Sequence, residues 1–207
     1  MRNTLSVFAV VIVLAGCKNP GADVAPAKVE AEPATEKNTA PAEPVATLPI
    51  NPSNSKIEFV GAKVTRSHDG GFTDFGGKLE LADPVEQSGI EITIQTESLY
   101  ADDQKLTKHL KSPDFFDVEQ FPTAVFKATG IEKAADGHTI TGDLTLHGVT
   151  KRVSFPATVS VTDGEVTATS EFSINRKDFG IVYPGMPDDL IRDLVVVKLS
   201  LALPRQG

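Results

Sequence analysis

The stretch RVSFPATVSVTDGEVTATSEFSI, residues 152–174, alternates apolar and polar residues, breaks at Asp163-Gly164, and then alternates again. Val153, Phe155, Ala157, Val159 and Val161 share one face of the first run. Ala168, Ser170, Phe172 and Ile174 share one face of the second. A period of two is the mark of a strand with one buried face, and Asp-Gly between two such runs is a turn signal.

The same period extends outward in both directions. GIEITIQT places Ile90, Ile92 and Ile94 on one face, and HTITGDLTL repeats the pattern through Ile140, Leu144 and Leu146. LVVVKLSLAL closes the domain with Val195, Val197, Leu199, Leu201 and Leu203 in step. Eight strands are predicted, over 55–66, 71–82, 88–98, 123–133, 138–147, 150–161, 165–175 and 192–203. Strands joined in sequence by short turns form an antiparallel meander. Eight of them close into a barrel wide enough for one small ligand, and closure removes exposed edges. A β-sandwich is the rival that the pattern alone leaves open.

One connection is too long for a turn. Between Ser98 and Thr123 a short helix is predicted over DDQKLTKHLK, opened by Asp102 and Asp103, with Leu106 and Leu110 on one face. Acids at its start and Lys105, Lys108 and Lys111 toward its end suit the helix dipole. Ser112-Pro113 then caps a further turn, PDFFD, which presents Phe115 and Phe116. The expectation is an all-β, eight-stranded antiparallel barrel with a helical insertion between strands 3 and 4. The insertion covers the barrel's mouth or wall.

The chain before this domain has a different character. LSVFAVVIVL, residues 5–14, is an apolar run of signal-peptide length after Arg2, and it leads into Leu14-Ala15-Gly16-Cys17. That order resembles the bacterial lipobox, whose cysteine is lipidated. It implies a signal peptide over 1–16 and a thioether lipid plus an N-acyl chain, palmitate-like, on Cys17. Lys18 after the cysteine points by analogy to the outer membrane. Residues 17–50 read as a Pro/Ala-rich disordered tether, because six prolines and eight alanines in 18–50 leave little apolar surface to offset ordering. The globular domain is placed at 51–207.

Composition excludes several functions. The chain has 20 Lys+Arg against 28 Asp+Glu, a net charge of −8, which argues against nucleic acid as a partner. A single cysteine rules out an internal disulfide. His68, His109, His138 and His147 show no ligand spacing, so no metal or cofactor is expected. Ser112 and Ser154 lack a nucleophile-elbow context, and acids near His109 read as solvated helix ends, so no catalytic residue is assigned.

HLKSPDFFDVEQFPTAVF, GDLTLHGVTKRVSF and INRKDFGI, with SHDGGFTDFGGKLEL before them, resemble the successive signatures of the YceI-like family. The similarity runs from about Ser55 to Leu203. It implies a lipocalin-like barrel, periplasmic or secreted, that binds long apolar chains such as polyisoprenoids (quinones or isoprenyl phosphates) or fatty acyl amides, without catalysis. Arg152 departs from the family pattern, and VYPGMPDDLIRD, residues 182–193, is not matched closely.

Candidate ligand-lining residues follow. Phe59, Phe72, Phe126, Leu144 and Phe172 stand on strands, where a cavity wall and a packed core use the same residue types. Leu106, Leu110, Phe115 and Phe116 belong to the cover. His109 is a candidate partner for a polar head, though at its helix end it also suits the dipole. Arg176 either pairs with Asp178 around a turn or grips a phosphate bidentately. The alternative to a lipid carrier is a filled barrel acting as an envelope-stress or protein-interaction scaffold. A homodimer is compatible with either reading.

Overall fold

The structure, a computed structural model, describes residues 19–30 and 43–205. The strands are β1 (Lys28–Glu30), β2 (Ala46–Ile50), β3 (Ser55–Ala62), β4 (Ser67–Phe72), β5 (Phe75–Leu81), β6 (Gly89–Gln95) and β7 (Leu99–Ala101). After the helix α1 (Gln104–Lys111) come β8 (Thr123–Ala134), β9 (Gly137–Leu146), β10 (Val149–Val161) and β11 (Glu165–Asn175). A two-stranded hairpin, β12 (Gly185–Met186) and β13 (Asp189–Leu190), precedes β14 (Leu194–Pro204).

Twelve of these strands form one sheet in the order β2-β5-β6-β8-β9-β10-β11-β14-β3-β4-β7, with β1 added on β10. All its ladders are antiparallel. The sheet curls on itself, because Ile50 and Leu79 near one end of that order share a buried cluster with Val166, Leu203 and Ile57 from far along it. The result is a lipocalin-like, barrel-type curl with one apolar inner face and, among the described residues, one α-helix, rather than a sandwich of two sheets.

The eight predicted strands are present with shifted ends, and the count is higher. β4 begins at Ser67, in the gap between the strands predicted over 55–66 and 71–82, and takes the first two residues of the latter. The remainder is β5 after a break at Thr73-Asp74, and the end of β4 pairs with β7. The turns form where glycine allows them. His147 and Gly148 both take positive φ, 50° and 72°, the mirror-image two-residue turn that matches strand twist.

The tether reading needs correction at both ends. Residues 46–50 form β2, which pairs with β5 and buries Leu48 and Ile50 in the core. Residues 28–30 form β1, and Gly21 packs against the Leu194 side chain. Backbone pairing to an open strand edge supplies what the apolar content of this stretch lacks. Cys17 and residues 31–42 lie outside the described residues.

Candidate functional site

Inside the curl are two apolar clusters. One gathers Leu48, Ile50, Phe75, Leu79, Ile92 and Leu203. The other gathers Ile140, Val153, Phe155, Ala157, Phe172 and Phe179, with Phe126 and Leu144 packed on it. Ile90 and Leu199 touch both. Between them lies a cavity of about 30 Å³ lined by aliphatic side chains alone, among them Ile50, Leu79, Ile90, Ile140, Val166 and Leu203. That is room for about one water molecule, and with no polar wall such a space stays dry.

Three of the candidate residues thus meet in the interior. Phe126, Leu144 and Phe172 come together around Phe155, whose ring stacks on Phe172 with centroids 4.2 Å apart and planes 7° from parallel. Phe59 and Phe72 make a second aromatic line, 6.1 Å apart, that reaches Phe116 of the cover at 5.9 Å. Glycine makes room for these rings: Gly70 faces Phe59 and Gly142 faces Phe126 so closely that a Cβ would collide. The residues that line the cavity itself were missed, because aliphatic strand residues carry no signal that separates wall from core.

The cover is held by its own contacts. Asp103 caps α1 by accepting from the Leu106 amide at 2.8 Å, and this bond foremost holds its carboxyl below the ordinary carboxylate range. Helix α1 spans 104–111, so Asp102 falls outside it and instead pairs with His68 at 2.8 Å. Phe115 is buried between His109 and Tyr183, with centroids at 5.0 and 5.3 Å. His109 bonds Asp114 at 2.7 Å on the half-exposed side of the helix. Leu106 and Leu110 are half-buried. None of these cover residues borders the cavity.

Arg176 is not arranged as a phosphate grip, and its partner is not Asp178. The guanidinium is 5% exposed and donates to the Ile181 carbonyl at 2.7 Å, the Arg192 carbonyl at 3.2 Å and Asp193 at 3.4 Å. Burial lowers its pKa, and Asp193 partly offsets this. It is a clamp for the loop 181–193. Arg152, the other unmatched position, is buried and forks onto Asp143 across the ladder at 2.8 and 2.9 Å. Among the described residues no group of three or more His, Cys, Asp or Glu could hold a metal ion.

A last feature lies in the wall. Strands β10 and β11 pair only over Thr158–Val161 and Val166–Thr169. Beyond that they part, and residues 25–30 fill the gap. The Ala27 amide donates to the Ser173 carbonyl at 2.8 Å, and the Ser173 amide donates to Ala25 at 3.0 Å. Lys28, Val29 and Glu30 then pair with Ser154, Val153 and Arg152. Ala27 and Val29 pack on the aromatic cluster.

The YceI-like domain profile matches residues 49–203. Over 128 residues the chain is 42% identical to a UPF0312 protein of Pseudomonas putida strain W619, a match covering 56% of this chain and 65% of that one. A UPF0312 protein of Pseudomonas fluorescens strain SBW25 is 39% identical over 128 residues, with the same coverage. The chain therefore spans just under two thirds of these relatives' length. Among solved structures, Burkholderia cenocepacia BcnA superposes with a TM-score of 0.64 at 24% identity, over 72% of this chain and 95% of that one. A structure described as a polyisoprenoid binding domain from Saccharophagus degradans gives 0.62 at 14% identity, over 78% and 99%. With the profile spanning the curled sheet from β2 to β14, this chain belongs to the YceI-like family.

Proposed function

We propose that this chain is a non-enzymatic carrier that takes one long apolar molecule, a polyisoprenoid or fatty acyl chain, into its curled sheet. It works on the periplasmic side of the bacterial envelope, outer membrane before inner, anchored by lipid on Cys17. The observation that carries the reading is the interior: a purely aliphatic cavity continuous with clusters that supply both aliphatic and aromatic walls. Burial of apolar surface stabilises such a ligand by about 25 cal/mol per Å², so an elongated chain needs few polar contacts. The description of the Saccharophagus neighbour as polyisoprenoid-binding supports the ligand class. A larger depression, about 380 Å³, opens on the outer surface. Its walls carry Lys78, Glu80, Glu91, Lys127 and Glu132, which do not suit an apolar chain.

The second reading, a filled scaffold, draws on the small size of the same cavity. One experiment separates the two. Protein purified from membranes is extracted with organic solvent, and the extract is analysed by mass spectrometry, with stripped protein then titrated with dansyl-undecanoic acid. A carrier yields a stoichiometric long-chain lipid and saturable dansyl binding. Lipid-free extracts with no dansyl binding would establish the scaffold.

A further inference from the structure

We propose that the slot between β10 and β11, filled by residues 25–30, is where the ligand's apolar chain enters and lies, and that this N-terminal segment leaves as the chain enters. The inference rests on the carrier reading above. A cavity of about 30 Å³ cannot hold a long chain, so loading requires that something vacate the interior. Of the elements with side chains on the aromatic cluster, the segment 25–30 is the most weakly held. Its ladder on β10 has three residue pairs, whereas β11 and β14 pair over eleven. Local opening begins where hydrogen bonds and buried apolar area are fewest.

The chemistry of the segment fits removal. Pro26 offers no amide to a ladder, and Ala25 and Ala27 bury little apolar surface. Docking leaves the Ser173 hydroxyl buried without a hydrogen-bond partner among the described residues, a cost that departure relieves. What Ala27 and Val29 do occupy is a row of apolar contacts against the aromatic cluster, between the edges of two strands. An extended hydrocarbon can take the same row. The backbone groups freed at Ser173 and at 152–154 lie at the seam, where water can reach them once the strand has gone.

The alternative route, beneath α1, has no such preparation. Phe115 is wedged against His109 and Tyr183, Phe116 rests on Phe72, and no cover residue borders the cavity.

The first test uses the unaltered protein. Amide hydrogen exchange is followed with and without saturating dansyl-undecanoic acid, reading Ala27 and Ser173, whose amides bond across the seam. Faster exchange at both, on the order of tenfold or more, is expected on loading. Unchanged or slower exchange there, with probe bound, overturns the proposal. The second test locks the strand. Val29 and Val153 are directly paired, so their Cα atoms stand about 4.5–5.5 Å apart, within disulfide reach. Val29→Cys with Val153→Cys, in a full-length chain carrying Cys17→Ser, should load at least about tenfold more slowly when oxidised and recover with reductant. Equal loading in both redox states overturns the slot. If neither state nor wild type binds the probe, the carrier reading itself falls, which is a different result.

Discussion

Arg176 and Gly148 show how single residues fix the end of the barrel that carries the cover. Arg176 bonds two loop carbonyls and Asp193 from a buried position, and lysine cannot span that fork. Arg176→Lys is expected to lower stability by about 2–4 kcal/mol, measured by denaturant unfolding, while the folded fraction keeps its lipid. Loss of lipid without loss of stability would restore the phosphate-grip reading. Gly148, at φ 72°, faces the Phe121 ring, which would stand 2.5 Å from an added Cβ. Gly148→Ala therefore combines left-handed strain with a collision, and a cost of about 1–3 kcal/mol should appear in the same assay. Asp103 gives a pH effect with a definite sign. Its folded-state pKa is depressed, so its contribution to stability is full above the unfolded-state value and is lost as pH falls through the folded one. The Leu106 amide should lose hydrogen-exchange protection across that acid range, and Asp103→Asn, which still caps, should flatten the dependence.

The cover and the strands differ in how far they could be read from sequence, and the reason is the kind of signal each carries. Period-two runs with Gly turns gave β8 to β11 and β14 almost to the residue, because a half-buried strand must alternate. The helix was legible through its acidic cap and its lysines. Strands β1 and β2 were not, since Lys28–Glu30 and Ala46–Ile50 offer at most two large apolar residues each. They exist because neighbouring edges need partners, and that is a property of the whole sheet. The interior was half legible: Phe126, Leu144 and Phe172 do converge, while Phe115 and Phe116 belong to a cover that never reaches the cavity. This changes what their replacement should do. Phe115→Ala opens a hole between His109 and Tyr183, with an expected loss of about 3 kcal/mol in unfolding free energy and little change in bound lipid. Phe172→Ala removes a stacked ring from the interior and should cost both stability and lipid. Equal lipid loss from the two variants would return the cover to the ligand site.

At the scale of the molecule, the docked N-terminal segment sets how far the barrel stands from an anchor. Asn19 shares a surface depression with Val64, Leu190 and Leu194, and Gly21 packs on Leu194. If Cys17 carries the lipid, only Lys18 stands between it and Asn19, a reach of about 7 Å at full extension. Under the proposed anchoring, a barrel held so closely would lie against its membrane, where an apolar molecule could pass without crossing water. If residues 19–24 leave together with 25–30 on loading, the restraint nearest Cys17 goes too, and the next docked strand along the chain is β2, which begins at Ala46. Covalent geometry alone bounds the span from Cys17 to Ala46 at about 100 Å. Under that proposal, loading would convert a short leash into a long one. Two measurements check this on lipid-anchored protein in vesicles. Cys17→Ser should first appear in the soluble fraction or fail to be processed, and normal membrane retention of that variant would remove the anchor and the leash together. Asp163→Cys then provides a dye site in the turn between β10 and β11, since the sulfur of a lipidated Cys17 is blocked. Energy transfer from this dye to an acceptor in the bilayer should be strong in stripped protein and fall when an apolar chain is bound. Extra Gly/Ser residues between Lys18 and Asn19 should weaken transfer in the empty state, whereas the same insertion after Glu30 should act only in the loaded state. Identical behaviour of the two insertions in empty protein would show that residues 19–30 do not restrain the barrel.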